Sequence, residues 1–388
     1  MARKRRLPTK KQADGVASGV AQRPVQFPGF RNTQDHIVSL PNINVLHLLD
    51  NTSLGGTQTM VSELVAALEL YYGPTVKNHF GFTCRMPLDT SLARSYGVAP
   101  VSIPHNRLKK YAEANSISIV LHHRTSSSRS YREFLSENVA YIVVNHSVAN
   151  PISLKRFVDC DFYISVCDFL DSFVTWPSGI HPSRKAVILN GVEDSYLTEI
   201  PSANLSGTFK SGRCHRLVPT KFKSDSLTWF QEKVASAIPG SVHYVIGNNQ
   251  QLKQEFGDCY RVKLLGTIYD RFQKMSIIKS FDVYFYETFY VEGASIAILE
   301  SLACGVPVLC KSLGGCPELI RDGVNGFIFK DRKDALKRLK DLARNRSKLR
   351  ELVESTQTDF SDRLHIRHTA CRYVQVFEAV LRNRGVSK

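Results

Sequence analysis

The run Glu292–Phe329, EGASIAILESLACGVPVLCKSLGGCPELIRDGVNGFIF, constrains this chain more than any other. An acid stands in a small-residue loop, Glu292-Gly293-Ala294, and a helix is expected from Ser295, whose hydroxyl suits an N-cap. Ile296, Leu299, Leu302 and Ala303 recur at three- and four-residue steps, giving that helix a buried face. Gly305 supplies a left-handed stop, and Val306–Leu309 reads as the next buried strand. Gly314-Gly315 leads into a short helix over Pro317–Arg321, and a glycine-rich turn at Gly323–Gly326 opens the strand Phe327–Phe329. Glu300 lies eight residues after Glu292. Helical rise therefore keeps the two carboxylates within about 12 Å. Acids at that spacing are common on solvated helices, so the spacing alone defines no site.

The 388 residues suffice for two domains, each with its own core. Hydrophobic residues make up 43%, as in ordinary globular chains. No apolar run nears the roughly 18 residues of a bilayer span. The basic, polar start lacks the apolar segment of a secretory signal, so a cytoplasmic protein is expected. Nine cysteines, an odd number without paired metal-ligand spacing, read as reduced thiols. The net charge of +16 belongs to the ends: residues 1–37 carry eight Lys/Arg and two acids, residues 331–388 fifteen and eight. Such ends suit an anionic membrane surface, nucleic acid or plain solubility. No basic stretch is interleaved with aromatics, which leaves nucleic acid without a motif.

Residues 1–37 show no periodicity and are expected as a disordered basic arm. A first domain is expected over 38–195. It opens with the strand Asn44–Asp50, the pair Gly55-Gly56 and the helix Met60–Leu70. Strand, glycine pair, helix is a way to bring backbone to an anion at a helix N-terminus, although a tight turn has the same signature. No Gly-x-Gly-x-x-Gly fingerprint appears, so no nicotinamide or flavin cofactor is expected. Strands follow at His79–Thr83, Val98–Ile103, Ser116–His123, Val139–His146, Phe162–Val166 and Ala186–Leu189. The alternation predicts a mostly parallel sheet with ligands at the carboxyl ends of its strands. Two such ends carry histidine, His122-His123 and His146. A polar linker is expected over 196–211 and a second domain over 212–365, with strands at Val242–Gly247, Val262–Gly266 and Ser280–Glu287. A helical segment at 366–388 closes the chain.

Taken whole, the acid loop, the apolar helix with its second acid, the Gly-Val-Pro strand, Gly314-Gly315, Pro317-Glu318 and the glycine-rich turn resemble the nucleotide-sugar site of retaining family-four glycosyltransferases, the glycosyl transferases group 1. Asn190-Gly191-Val192 is similar to the turn closing that family's first domain. Arg216-Leu217-Val218-Pro219-Thr220-Lys221 is similar to its Arg-Leu-x-Pro-x-Lys signature. His215 and Phe222 stand where glycines are usual, and Glu287-Thr288 where Pro-Ser is common. The resemblance spans roughly residues 44–380 and implies an α/β GT-B architecture: two Rossmann-like domains whose parallel sheets face a central cleft, the last helix returning to the first.

It also implies roles. Arg216 and Lys221, with Gly56 and the backbone of Gly293, Ala294, Ser295 and Ile296, would bind the donor pyrophosphate. Glu300 would bind the ribose, and Glu292 and His146 would be the catalytic residues facing the sugar; His122 and His123 match a more variable position. A nucleotide-diphosphate sugar is then the donor substrate, with no metal and no separate cofactor. The acceptor would be a glycan, a lipid-linked glycan or another surface-polysaccharide precursor, reached at the cytoplasmic membrane face through the basic ends. The same fold leaves open a nucleotide-sugar epimerase or hydrolase, a binding protein without turnover, and a nucleic-acid base glycosyltransferase.

Overall fold

The computed structural model describes residues 42–50, 55–84, 100–124, 129–147, 159–173, 181–194, 207–219, 221–257 and 259–385. The expected basic arm at 1–37, residues 196–206 of the expected linker, the start of the strand expected at Val98 and residues 386–388 lie outside them.

Seven parallel strands form the first sheet in the order β3-β2-β1-β4-β5-β6-β7: β1 Ile43–Leu49, β2 Val76–Phe82, β3 Val101–Ser102, β4 Ile119–Arg124, β5 Ala140–Asn145, β6 Phe162–Ser165 and β7 Lys185–Val187. β4, β5 and β6 are buried along their whole length, which is why they read as unbroken apolar runs rather than alternating ones. Helices α1 (Gly56–Tyr72), α2 (Leu108–Ala114) and α3 (Asp168–Phe173) belong to this half.

The second sheet is also parallel, in the order β10-β9-β8-β11-β12-β13: β8 Lys210–Cys214, β9 Val242–Ile246, β10 Val262–Gly266, β11 Val283–Tyr286, β12 Val308–Lys311 and β13 Gly326–Phe329. Around it lie α4 (Asp225–Trp229), which continues through a wide turn into α5 (Ala235–Ala237), then α6 (Gln250–Phe256), α7 (Arg271–Lys279), α8 (Ile296–Ala303), α9 (Arg332–Arg344) and α10 (Arg346–Asp359). The order places the ends of β8 and β11 side by side at the middle of the sheet.

The central strand β8 has the polar sequence KSGRC, and its partners explain how it is buried. Ser211 Oγ shares a 2.9 Å hydrogen bond with His243 Nδ1. The Phe281 ring fills the space a side chain at position 212 would need, so only glycine fits. Arg213 is fully buried; Nη2 donates to the Glu287 carbonyl at 2.8 Å, and the guanidinium lies 4.6 Å over the Phe222 ring. Lys210 and Ser211, expected as linker, are the first residues of this strand. The Lys210 N–H donates to Asp282 Oδ2 at 2.6 Å, which anchors the start of β8 against its neighbour.

The closing helix α11 (Ile366–Asn383) packs on α1. Its Thr369 Oγ1 donates to the Leu189 carbonyl at 2.9 Å. A Cβ at Gly191 would come within 2.7 Å of Ile366 Cα, so the Asn190–Val192 turn seats directly on the start of α11. His365 Nε2 meets Glu193 Oε1 at 3.3 Å and Asp194 Oδ1 at 3.1 Å, tying the end of the first half to the same helix start.

Candidate active site

The carboxyl ends of the first sheet meet the loops that follow β8, β11 and β12. A Cβ at Gly55 would lie 2.9 Å from Nη2 of Arg216, and one at Gly56 3.6 Å from Ile296 Cγ1. The glycine pair after β1 therefore faces the cation after β8 and the first residue of α8. Deeper in, a Cβ at Gly293 would fall 2.6 Å from Leu170 Cδ1 and 3.5 Å from the His146 carbonyl. Glu318, in the 3₁₀ turn Cys316–Leu319, accepts from the backbone N–H of Asp168 at 2.8 Å and of Phe169 at 2.7 Å, where α3 begins. Burial pushes the Glu318 carboxyl up to about 7, against the two N–H donors that favour its charged form.

Glu292 stands at the centre. Lys221 Nζ donates to its Oε1 and the Tyr286 phenol to its Oε2. The loop that carries it is held from behind: Gly315 N–H donates to the Glu292 carbonyl at 2.9 Å. Gly314, with φ +66°, leaves no room for a Cβ against that carbonyl. Gly314-Gly315 thus exists to let the loop after β12 pass under the acid. Tyr286 is buried, and burial together with the neighbouring Cys316 and Glu292 raises its phenol well above the ordinary range, so it stays a donor.

Ser295 occupies the N-cap position of α8, but its hydroxyl does not cap. It donates to Tyr286 Oη at 3.1 Å instead. The phenol donates its hydrogen to Glu292, which leaves its oxygen as the acceptor for the serine hydroxyl. The expected short helix at Pro317–Arg321 is likewise a single 3₁₀ turn, starting one residue earlier and ending two residues earlier.

Glu300 lies on the buried face of α8, and Lys274 Nζ from α7 donates to its Oε1 at 2.6 Å. Burial opposes the charge on Lys274; Glu300 and Cys214 together more than offset it and raise the ammonium pKa. Next to this pair, Arg271 at the start of α7 forms an ion pair with Glu63 of α1, a carboxylate 3% exposed whose pKa burial raises against the pull of the guanidinium. Glu63 Oε2 also accepts the Glu193 N–H at 3.0 Å. The two carboxylates singled out in sequence thus occupy separate places, each with its own lysine.

His146 follows β5, half-buried, with Nε2 3.0 Å from His123 Nδ1. Burial lowers its pKa to about 3, so the ring is neutral. His122 points elsewhere: its Nδ1 meets Tyr141 Oη at 2.8 Å and its Nε2 meets Asp50 at 3.3 Å. Sequence reasoning passed over Tyr286, Lys274, Arg271 and Glu63. For Tyr286 a signal existed, a hydroxyl at the last residue of a buried strand; the other three are set by contacts between distant elements.

Two cations, two carboxylates, the N-terminus of an eight-residue helix and a facing glycine pair can together hold a diphosphate and a polyhydroxyl group. The family described as Glycosyl transferases group 1 matches residues 216–359. An uncharacterized glycosyltransferase of Methanocaldococcus jannaschii is 24% identical over 109 residues, which is 28% of this chain and 28% of that protein. One subunit of the phosphatidylinositol N-acetylglucosaminyltransferase of Arabidopsis thaliana is 21% identical over 319 residues, 76% of this chain and 67% of its own length. The crystal structure of Anabaena HepE in complex with UDP superposes with a TM-score of 0.70 at 17% identity, covering 87% of this chain and 100% of HepE. The architecture is GT-B, and residues 216–359 of its second half are similar to the glycosyl transferases group 1 family.

Proposed function

We propose that this protein is a retaining glycosyltransferase that moves a sugar from a nucleotide-diphosphate donor to a glycan or lipid-linked acceptor. The observation that carries the reading is the convergence of Lys221, Glu292 and the Gly55-Gly56 loop with Arg216 on one cleft between two parallel sheets.

In this reading Arg216 and Lys221 neutralise the donor pyrophosphate and stabilise it as the leaving group. A bound pyrophosphate competes with Glu292 for Lys221 Nζ, which frees one carboxylate oxygen toward the sugar. The peptide N–H groups from Gly293 to Ile296, at the α8 N-terminus, add positive potential. Glu300 takes the ribose diol and Glu292 orients the sugar, stabilising positive charge at the anomeric carbon as the bond breaks. His146 contacts the sugar from the first half of the molecule. The intact pairs Lys221–Glu292 and Lys274–Glu300 favour turnover over a binding-only descendant of the fold.

The test is sugar release from UDP-, GDP- and ADP-sugars, with and without acceptor extract. UDP-sugars come first because HepE was solved with UDP. Transfer dependent on acceptor supports the reading. Release or isomerisation that ignores acceptor points to an epimerase or hydrolase, and diphosphate binding without any turnover points to a binding protein.

A further inference from the structure

Behind His146 runs a line of buried polar groups. His146 Nε2 is 3.0 Å from His123 Nδ1, His123 Nε2 is 3.2 Å from His47 Nδ1, and His47 Nε2 is 3.1 Å from Asn78 Oδ1. Asn78 Nδ2 then donates to Glu69 Oε1 at 2.7 Å. His47, His123 and Asn78 lie on β1, β4 and β2, and Glu69 is an exposed residue of α1. Burial holds His47 down to about 4, His146 to about 3 and His123 well below its ordinary value, so all three rings are neutral.

Each contact joins Nδ1 of one ring to Nε2 of the next. A line of neutral imidazoles so joined has only two fully bonded states: every ring protonated on Nε2, or every ring protonated on Nδ1. Glu69 chooses between them. A carboxylate only accepts, so the Asn78 amide must turn its NH₂ to Glu69 and its oxygen to His47. That oxygen requires a proton on His47 Nε2; His47 Nδ1 then accepts from His123, and His123 Nδ1 from His146. The opposite state would press the Asn78 oxygen against the Glu69 carboxylate. His146 Nδ1 is the one ring nitrogen of the three without a partner among the described residues.

We infer that Glu69, Asn78, His47 and His123 are positioning residues that lock His146 as the Nε2–H tautomer, presenting Nδ1 to the cleft as a hydrogen-bond acceptor. Such an acceptor selects a hydroxyl donor and refuses a second acceptor, which suits the sugar contact of the proposed transferase, on which this part of the inference rests. An amide is a poor proton carrier, so the line ends at Asn78 as a clamp rather than a conduit to solvent.

The experiment uses full-length protein labelled with ¹⁵N-histidine, without donor. Bare and protonated ring nitrogens resonate far apart, so each tautomer is read directly. The expected spectrum has bare Nδ1 and protonated Nε2 on His47, His123 and His146. Glu69→Gln, at an exposed position that leaves the core untouched, lets the amide turn and mixes both states on all three rings together. With a donor in hand, the same variant loses about twofold in kcat, the share of the wrong tautomer when the two states mix evenly, while diphosphate affinity is unchanged. A protonated Nδ1 on His146 in the parent, or a spectrum indifferent to Glu69→Gln, overturns the inference. The tautomers are measured with no turnover required, so a protein that shows them and transfers no sugar contradicts the transferase reading and leaves the clamp standing.

Discussion

Lys221 Nζ is bonded to Glu292 Oε1, and this contact ties the loop after β8 to the loop after β11 at the point where both face the first sheet. Glu292 is only 12% exposed in its side chain, so the pair is partly shielded from water and from salt. The same lysine that would meet a diphosphate therefore holds the acid that would meet the sugar.

Removing the acid's charge separates the two carboxylates. Glu292→Gln keeps size and should lower kcat by roughly a hundredfold or more, as for other groups that stabilise charge in the transition state, with diphosphate affinity kept or raised because Lys221 no longer shares its charge with the acid. Glu300→Gln should raise KM more than it lowers kcat, because a ribose contact is made equally before and during reaction. Steady-state kinetics beside diphosphate calorimetry checks both. Equal effects of the two variants on kcat contradict the division of roles.

Tyr286→Phe removes the donor to Glu292 Oε2 and the acceptor of Ser295 Oγ at once. The cost should be about 1–3 kcal/mol of stability, from buried polar groups left short of partners. Chemical denaturation gives that number. Turnover should fall as well, since the acid loses one of the two groups that orient it; unchanged kcat would show that Lys221 alone positions it.

Gly314→Ala puts a methyl against the Glu292 carbonyl at a backbone position with φ +66°. A destabilisation of about 1–3 kcal/mol is expected, visible as a lower midpoint in thermal unfolding, together with weakened turnover as the acid loop shifts. Gly323→Ala, where φ is +79° and nothing lies within 4 Å, is the control: strain without displacement of the loop.

Glu318 gives a pH dependence of known sign. Its carboxyl is raised by burial from 4.5 to about 7, so the folded state favours the protonated form. That stability is full below about 4.5 and is lost as pH rises through about 7. Glu318→Gln, neutral throughout, removes this slope and leaves every other group's contribution in place. The difference in Tm, parent minus variant, should fall across that window in calorimetric scans; a constant difference contradicts it.

Much of the second half was legible because its signals are local. Gly305 with φ +71°, the apolar face of α8 and the Gly314-Gly315 turn are all consequences of neighbours in sequence. The first sheet was legible as strands, since buried parallel strands are continuous apolar runs. The histidine line was not: His47 sits inside the run INVLHLL and looks like one polar exception, and Asn78 carries no motif. Only the register between β1, β2 and β4 brings them together. The pairs Glu63–Arg271 and Glu300–Lys274 were hidden for the same reason, each joining elements that sequence spacing does not relate. Ser295 shows a local signal overridden: it stands at a helix start, yet a buried phenol competes successfully for its hydroxyl.

The central claim is that this cleft binds a nucleoside diphosphate through Arg216 and Lys221. Calorimetric titration of UDP, GDP and ADP into the parent protein and into the Arg216→Ala, Lys221→Ala double variant tests it most directly. At least one diphosphate is expected to bind the parent and stabilise it by about 2.7 kcal/mol at a hundredfold excess over Kd. The variant, folded by circular dichroism, is expected to bind none of them measurably. No binding to the parent, or equal binding to parent and variant, would contradict the claim.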